Sequence, residues 1–263
     1  MFADYHVHSY FSEDTDFPMK LEIQKAIELG MDELCFTEHS DYDVPTVVNC
    51  DYDAYFKEME EMKEKYKGQI TLKTGIEFGI QVHTTKAYEE TFGQYPFDFV
   101  IFSCHQVENK EYWRQEPQKG KTQLEYNRRY YQEILDVVKA YKDYSILGHL
   151  DVIKRYDLNG EIELEKIKDL IEQIFEVVIA DGKGIELNTS SRAYHLKSLM
   201  PSREILELYH DMGGKIITIG SDAHNADRVG DRVMESQKIL KEIGFNGIYT
   251  FDQMKPKFHE FKF

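Results

Sequence analysis

Residues 215–224 read Lys215-Ile216-Ile217-Thr218-Ile219-Gly220-Ser221-Asp222-Ala223-His224. A short apolar, β-branched run ends at a glycine, and an aspartate and a histidine follow at once. An apolar run without polar alternation is the pattern of a parallel strand buried on both faces. Asp222 and His224 are two apart, so on extended chain their side chains share a side. The stretch predicts a buried strand that delivers a carboxylate and an imidazole together at its C-terminal end.

The pattern recurs on either side. Strand candidates are Tyr5–His8, Glu33–Thr37, Thr71–Glu77, Phe97–Ser103, Ser145–Gly148, Gly184–Asn188, Lys215–Gly220 and Gly247–Phe251. Between and around them lie the amphipathic stretches Pro18–Leu29, Tyr52–Tyr66, Leu124–Tyr141, Leu164–Ala180, Ser202–Met212 and Arg232–Ile243. Pro18 near a first turn and Gly30 just past the end follow the usual asymmetry of helix termini. Alternating strands and helices imply parallel pairing through right-handed crossovers. Seven or eight such units favour a closed or nearly closed barrel over an open doubly wound sheet. The expectation is an α/β fold, a distorted (β/α)7-type, TIM-barrel-like barrel forming one domain over residues 1–263. The polar segment Gln106–Lys121, with Trp113, Arg114 and Pro117, reads as an active-site lid or a surface excursion.

On that map six of the ten histidines fall at or just past strand ends. His6 and His8 end the first strand, His39 follows the second beside Glu38, and Glu77 ends the third. His105, His149 and His224 follow the fourth, fifth and seventh, the last with Asp222. A lone histidine is more often a core or surface residue, but independent structural histidines have no reason to choose the same end of five strands. In a barrel that end is the face where the βα loops build active sites. His6 and His8, again two apart, form a second chelating pair. Imidazole and carboxylate together suit Zn²⁺, Mn²⁺ or Fe²⁺ rather than Ca²⁺. A catalytic zinc needs about three protein ligands, so this set suffices for two or three ions. Glu77 can bridge two of them, and Asp14 is a further candidate beside Glu13 and Asp16.

The net charge of -16 argues against a duplex nucleic-acid partner and against an anionic membrane surface. It does not oppose a small phosphate ester, since bound cations and a few arginines make a positive pocket in an acidic protein. Cys35, Cys50 and Cys104 form no paired framework and fit a reducing compartment. The start, Met1-Phe2-Ala3-Asp4, lacks the basic and apolar segments of a signal peptide, so a cytoplasmic location is expected. No Cys-x5-Arg loop follows Cys104 and no P-loop motif exists, so neither a cysteinyl phosphoenzyme nor P-loop chemistry is expected.

The set His6-Val-His8, Thr37-Glu38-His39, Gly75-Ile-Glu77, Ser103-Cys-His105, Gly148-His149 and Gly220-Ser-Asp222-Ala-His224 resembles the polymerase and histidinol phosphatase (PHP) family. The resemblance runs from Asp4 to Gly230. Gly148–Tyr156, Glu186–Arg192 and Pro201–Leu206 are similar to its stand-alone histidinol-phosphate phosphatases. The resemblance implies a distorted barrel, a trinuclear site and hydrolysis of a phosphomonoester by metal-activated hydroxide, a step of histidine biosynthesis. It implies one ion at His6, His8, Glu77 and Asp222, a second at Asp14, His39 and His224, and a third at Glu77, His105 and His149. Relatives carry His where this chain has Asp14, and Asp where it has Glu38, which could support ligands rather than bind metal. Asp222, Glu77 and His195 are the candidate catalytic residues, His195 as a phosphate contact or proton donor. Arg155, Arg192 and Arg228 are candidate phosphate clamps; each could equally be a solvated or ion-paired arginine, and Arg228 a helix cap. Other members of the family act on nucleotides, polynucleotide ends or phosphotyrosine, and some serve as structural modules that have lost ligands. The charge disfavours a polynucleotide groove, and this ligand set has no gaps.

Overall fold

The computed structural model describes residues 1–263. Seven strands lie side by side in chain order: β1 (Ala3–Val7), β2 (Glu33–Ser40), β3 (Thr71–Gly79), β4 (Phe99–Ser103), β5 (Ile146–Leu147), β6 (Gly184–Asn188) and β7 (Ile217–Gly220). Every neighbouring pair is parallel. Parallel neighbours need crossovers, supplied by α1 (Met19–Glu28), α2 (Tyr52–Lys65), α3 (Thr85–Phe92), α4 (Gln123–Ala140), α5 (Lys168–Ala180) and α6 (Arg203–Asp211), with α7 (Val233–Ile243) after the last strand. The starts are chemically marked: Asp51 caps α2, Ser202 caps α6, and Thr122 with Glu125 forms a capping box on α4. No helix is long and apolar enough to cross a membrane.

The barrel closes through one parallel bridge between Val7 and Ala223, with His8 N–H donating to the Ala223 carbonyl at 2.8 Å. The buried Asp4 carboxylate seals the same seam by accepting from the N–H groups of Ser221 and Gly230, both at 2.8 Å. Gly220 is required here, because a Cβ would overlap His6 and the Glu186 carboxylate.

Side chains along the strands divide between an outer layer against the helices and the barrel interior. On β4, Val100 and Phe102 join the outer core, while Phe99 and Ile101 fill the interior with Ala3, Tyr5, Cys35 and Ile146. Inward positions are thus apolar at the bottom and polar at the top, where Ser103 reaches Glu77. β1 has to change parity to follow this plan, since Tyr5 belongs to the apolar bottom and His6 to the polar top. It does so by a register shift between Asp4 and Val7 against β2, which inserts one residue and turns both His6 and His8 inward.

One expectation needs correction. The run Gly247–Phe251 is not an eighth barrel strand. It lies in β8 (Gly247–Asp252), which pairs antiparallel with β9 (Lys255–Glu260). Its apolarity has another cause: Phe251 packs into the interior cluster from below, and its N–H donates to the Tyr5 hydroxyl at 2.8 Å. Helix α3 had no counterpart in the sequence reading. The segment Gln106–Lys121, expected as a lid or a surface excursion, holds some regular structure. Gln106–Val107 pairs antiparallel with Lys110–Glu111, and a tight turn at Tyr112–Arg114 carries Trp113 to the rim of the top face.

Candidate metal centre

The two oxygens of Glu77, fully buried at the end of β3, face different groups of imidazoles. Oε2 lies 3.2 Å from His6 Nε2, 3.5 Å from His8 Nε2 and 2.9 Å from His39 Nδ1. Oε1 lies 3.2 Å from His105 Nε2 and 2.9 Å from His149 Nε2. Asp222 faces the first group, its Oδ1 3.8 Å from His6 Nε2 and 3.7 Å from His8 Nε2. Asp14 Oδ2 lies between His224 Nε2 at 2.8 Å and His39 Nε2 at 3.6 Å. The chain adopts a left-handed conformation at Asp222 (φ 55°), a cost of about 1–2 kcal/mol that turns its carboxylate over the barrel mouth.

Several of these atoms have no hydrogen-bond partner although buried, among them His6 Nε2, His8 Nε2 and Glu77 Oε2. Buried polar atoms are nearly always satisfied, so lone pairs converging on common points mark places for cations. Four overlapping groups could each hold an ion: His6 with His8 and Asp222, His6 with Glu77 and His149, His39 with Glu77 and His105, and His8 with His39 and His224. The donor set, imidazole nitrogen with carboxylate oxygen, suits Zn²⁺, Fe²⁺ or Mn²⁺.

Behind the imidazoles stands a layer of acceptors that fixes their tautomers. His6 Nδ1 donates to Glu186 Oε1 at 2.6 Å, and His105 Nδ1 donates to Asp41 Oδ1 at 2.8 Å. Ser12 donates its hydroxyl proton to Glu38 at 2.7 Å, so its oxygen accepts from His8 Nδ1–H at 3.1 Å and from the backbone N–H of His39 at 3.0 Å. In His6, His8 and His105 this leaves Nε2 with its lone pair free. Glu38 therefore acts on His8 through a hydroxyl. Glu186, Asp41 and Ser12 were not singled out from the sequence, because no local spacing links them to the histidines they hold.

The electrostatics are those of an acidic site in which Arg155 is outnumbered by carboxylates. Burial alone would raise Glu77, but His6, His39 and His105 hold its carboxyl well below the usual range. Asp222 is likewise held low, against burial, by Arg155, His6 and His224. Burial would depress His6, yet Glu186, Glu77 and Asp222 push it well above 6.5. His8 moves the other way, driven down by burial and by His39, His224 and His6. Asp14, Glu38, Asp41, Glu77, Glu186 and Asp222 crowd this region, and Arg155 is the arginine among them. Divalent cations would balance that excess.

A cavity of about 290 Å³ opens over the centre. His39, His105, His149, Asp222 and His224 line its floor, and Glu13, Val47, Trp113, Val152, Tyr156 and Tyr194 its walls. Arg155 projects into it. One Nη donates to Asp222 Oδ2 at 2.7 Å, and the guanidinium stacks 3.9 Å from the Tyr194 ring. Ser190 and Asn188 also reach Asp222 Oδ2, at 3.2 and 3.4 Å. The other candidate contacts lie elsewhere. Arg192 and His195 are exposed, Arg228 pairs with Asp231 at 3.6 Å, and none of the three lines the cavity.

The sequence pattern of the PHP domain matches residues 4–190, and the chain belongs to that family. Among its relatives, histidinol-phosphatase of Lactococcus lactis subsp. lactis (strain IL1403) is 32% identical, over 96% of this chain and 95% of its own. A crystal structure of histidinol phosphate phosphatase from that organism, complexed with zinc, L-histidinol and phosphate, superimposes with a TM-score of 0.89. It is 30% identical, and the match covers 97% of this chain and 98% of that one. A putative histidinol phosphatase from Listeria monocytogenes, 17% identical, shares the fold with a TM-score of 0.74 over 89% of this chain and 99% of its own.

Proposed function

We propose that this chain is a metal-dependent phosphomonoesterase that hydrolyses L-histidinol phosphate to L-histidinol and phosphate. The observation that carries the reading is Glu77, whose two oxygens face separate imidazole groups as a carboxylate shared between ions must. Similarity over nearly the full length to the Lactococcus lactis enzyme supports the substrate. Two or three divalent ions, zinc, iron or manganese, would be held by His6, His8, Glu77 and Asp222, by Asp14, His39 and His224, and by Glu77, His105 and His149. Bound there, they would supply a water of lowered pKa as nucleophile and positive charge toward the phosphoryl oxygens.

The chain's own groups do the rest. Glu186, Asp41 and the Ser12–Glu38 pair keep the imidazole lone pairs aimed at the centre. Asp222 orients Arg155, whose remaining N–H groups are available to a phosphoryl oxygen, where charge develops in the transition state. Trp113, Tyr156, Val47 and Val152 exclude water around the organic part of the ester, and Glu13 and Asp41 favour a cationic substrate.

The test is phosphate release from L-histidinol phosphate by metal-loaded protein, beside Asp222→Asn and a panel of nucleotides and a phosphotyrosine peptide. Fast turnover of histidinol phosphate, abolished in the variant, is the expected result. Poor turnover of it with good turnover of a nucleotide or the peptide would overturn the substrate while leaving the centre in place.

A further inference from the structure

Gln106 directly follows His105 and lines the cavity, yet is only 1% exposed, and its Oε1 is buried without any hydrogen-bond partner. Leaving a buried amide oxygen unpaired costs about 1–3 kcal/mol. Such an atom beside a ligand cavity points to a partner that arrives with the ligand.

The local strand geometry directs the side chain. Gln106 pairs with Glu111 across the short ribbon, and cross-strand partners share a face. Glu111 reaches Thr46 at 2.5 Å, next to Val47 on the cavity wall, whereas Val107 points the other way into the hydrophobic core. Gln106 thus stands on the cavity face of the ribbon, and Val47, Tyr112, Trp113, Val152 and Ile153 line the same cavity.

The chemistry of that environment is selective. An amide oxygen accepts hydrogen bonds, so it repels phosphoryl oxygens and takes an N–H or O–H. The walls are apolar and aromatic, which suits a flat, weakly hydrated ring better than a strongly hydrated ammonium. An ammonium has the Glu13 and Asp41 carboxylates in the same cavity. We propose that Gln106 accepts a hydrogen bond from the imidazole N–H of the substrate and sets the preference of the cavity for an imidazole-bearing phosphomonoester; this rests on the function proposed above. A site built to pair an N–H discriminates strongly, because a ligand without one leaves the acceptor buried and empty.

The experiment uses the full-length, metal-loaded protein. Wild type and Gln106→Met, which keeps the side-chain length without the amide, are assayed on L-histidinol phosphate, its two ring N-methyl derivatives and phenyl phosphate. Binding of L-histidinol is measured alongside by calorimetry. In Gln106→Met, the ratio of kcat/KM for L-histidinol phosphate to that for phenyl phosphate should fall by about 10–100-fold. Affinity for L-histidinol should fall in parallel. Wild type should reject at least one N-methyl derivative, and the variant should lose that distinction. Parallel losses on both substrates, or an unchanged ratio, would overturn the proposal, the latter showing that the amide serves an ordered water. Wild type that accepts both N-methyl derivatives as readily as the parent would overturn it without recourse to any variant. Wild type that hydrolyses phenyl phosphate and neither turns over histidinol phosphate nor binds L-histidinol would instead remove the function proposed above, and this inference with it.

Discussion

Replacing Glu186 by glutamine changes one oxygen to an NH2 group and should still disable an imidazole at the centre. Glu186 Oε2 accepts from the His149 N–H at 2.8 Å and from Asn188 Nδ2 at 3.1 Å, while Oε1 accepts from His6 Nδ1 at 2.6 Å. A glutamine has one oxygen to offer. Placing it toward His149 and Asn188 satisfies two donors, so the NH2 group turns to His6 and donates to Nδ1. His6 then carries its proton on Nε2, the atom 3.2 Å from Glu77, and cannot ligate. The charge-assisted bond lost is worth about 1.5–3 kcal/mol. Loss of such a partner typically weakens metal binding about 10–100-fold, or about 1.4–2.7 kcal/mol. The assay is metal content after equilibration in chelator-buffered zinc, with circular dichroism to verify folding. Glu186→Gln should lose an ion at free zinc concentrations where wild type stays loaded, and lose activity with it. A folded variant with unchanged affinity would refute the claim that Glu186 sets the His6 tautomer.

Arg155→Lys keeps the charge but not the planar fork that meets Asp222 while leaving donors for phosphate; kcat/KM should fall on the order of 10²-fold with metal content intact, and a change below threefold would remove Arg155 from the site. In ion-free protein, burial pulls His105 down but Asp41 and Glu77 push it up to about 9. Its stabilising contribution is therefore complete below the ordinary value of 6.5 and lost as pH rises through about 9. Chelator-treated protein should lose melting temperature over that window, and ion binding at pH 7 should release protons in calorimetry with paired buffers; the opposite trends would contradict the assignment. Phe251→Ala should cost about 3–5 kcal/mol in urea denaturation, because the ring fills the bottom of the barrel, and a loss under 1 kcal/mol would mean that the hairpin is not part of the core.

Much of this arrangement was legible in the sequence because barrel strands are short, apolar and followed by their chemistry. The six strands carrying or flanking His6, His39, Glu77, His105, His149 and Asp222 were recognised as strands for that reason, as was the apolar run Gly184–Asn188, with ends shifted by a few residues. Gly247–Phe251 was misread because apolarity marks burial, and a plug inserted from below is buried as fully as a strand. Helix α3 escaped because eight residues, mostly Thr, Lys and Glu with Tyr88 as the one fully buried aromatic, show too few turns for a periodic signal. Glu186 and Asp41 hold histidines from other strands, and only the closed barrel makes them neighbours. Arg192, Arg228 and His195 show the converse: a loop after the right strand brings a residue to the right face without aiming it inward. His195, with φ 55°, sits on a left-handed turn that leaves it in solvent while Tyr194 lines the cavity.

The seam between β1 and β7 has a consequence for how the protein matures. His6 and His8 leave the ribosome well before Asp222 and His224, which close the barrel from its other end. The early imidazoles emerge with nothing to complete their coordination, so a nascent chain offers only weak, partial chelation. With an ion held as proposed, full affinity would arise only when the two banks of the seam meet, which would make ion capture a late event that certifies a finished barrel. Once captured, an ion spanning the seam would act as a clasp: the wall joined by a single backbone bridge could then open only by giving up its metal.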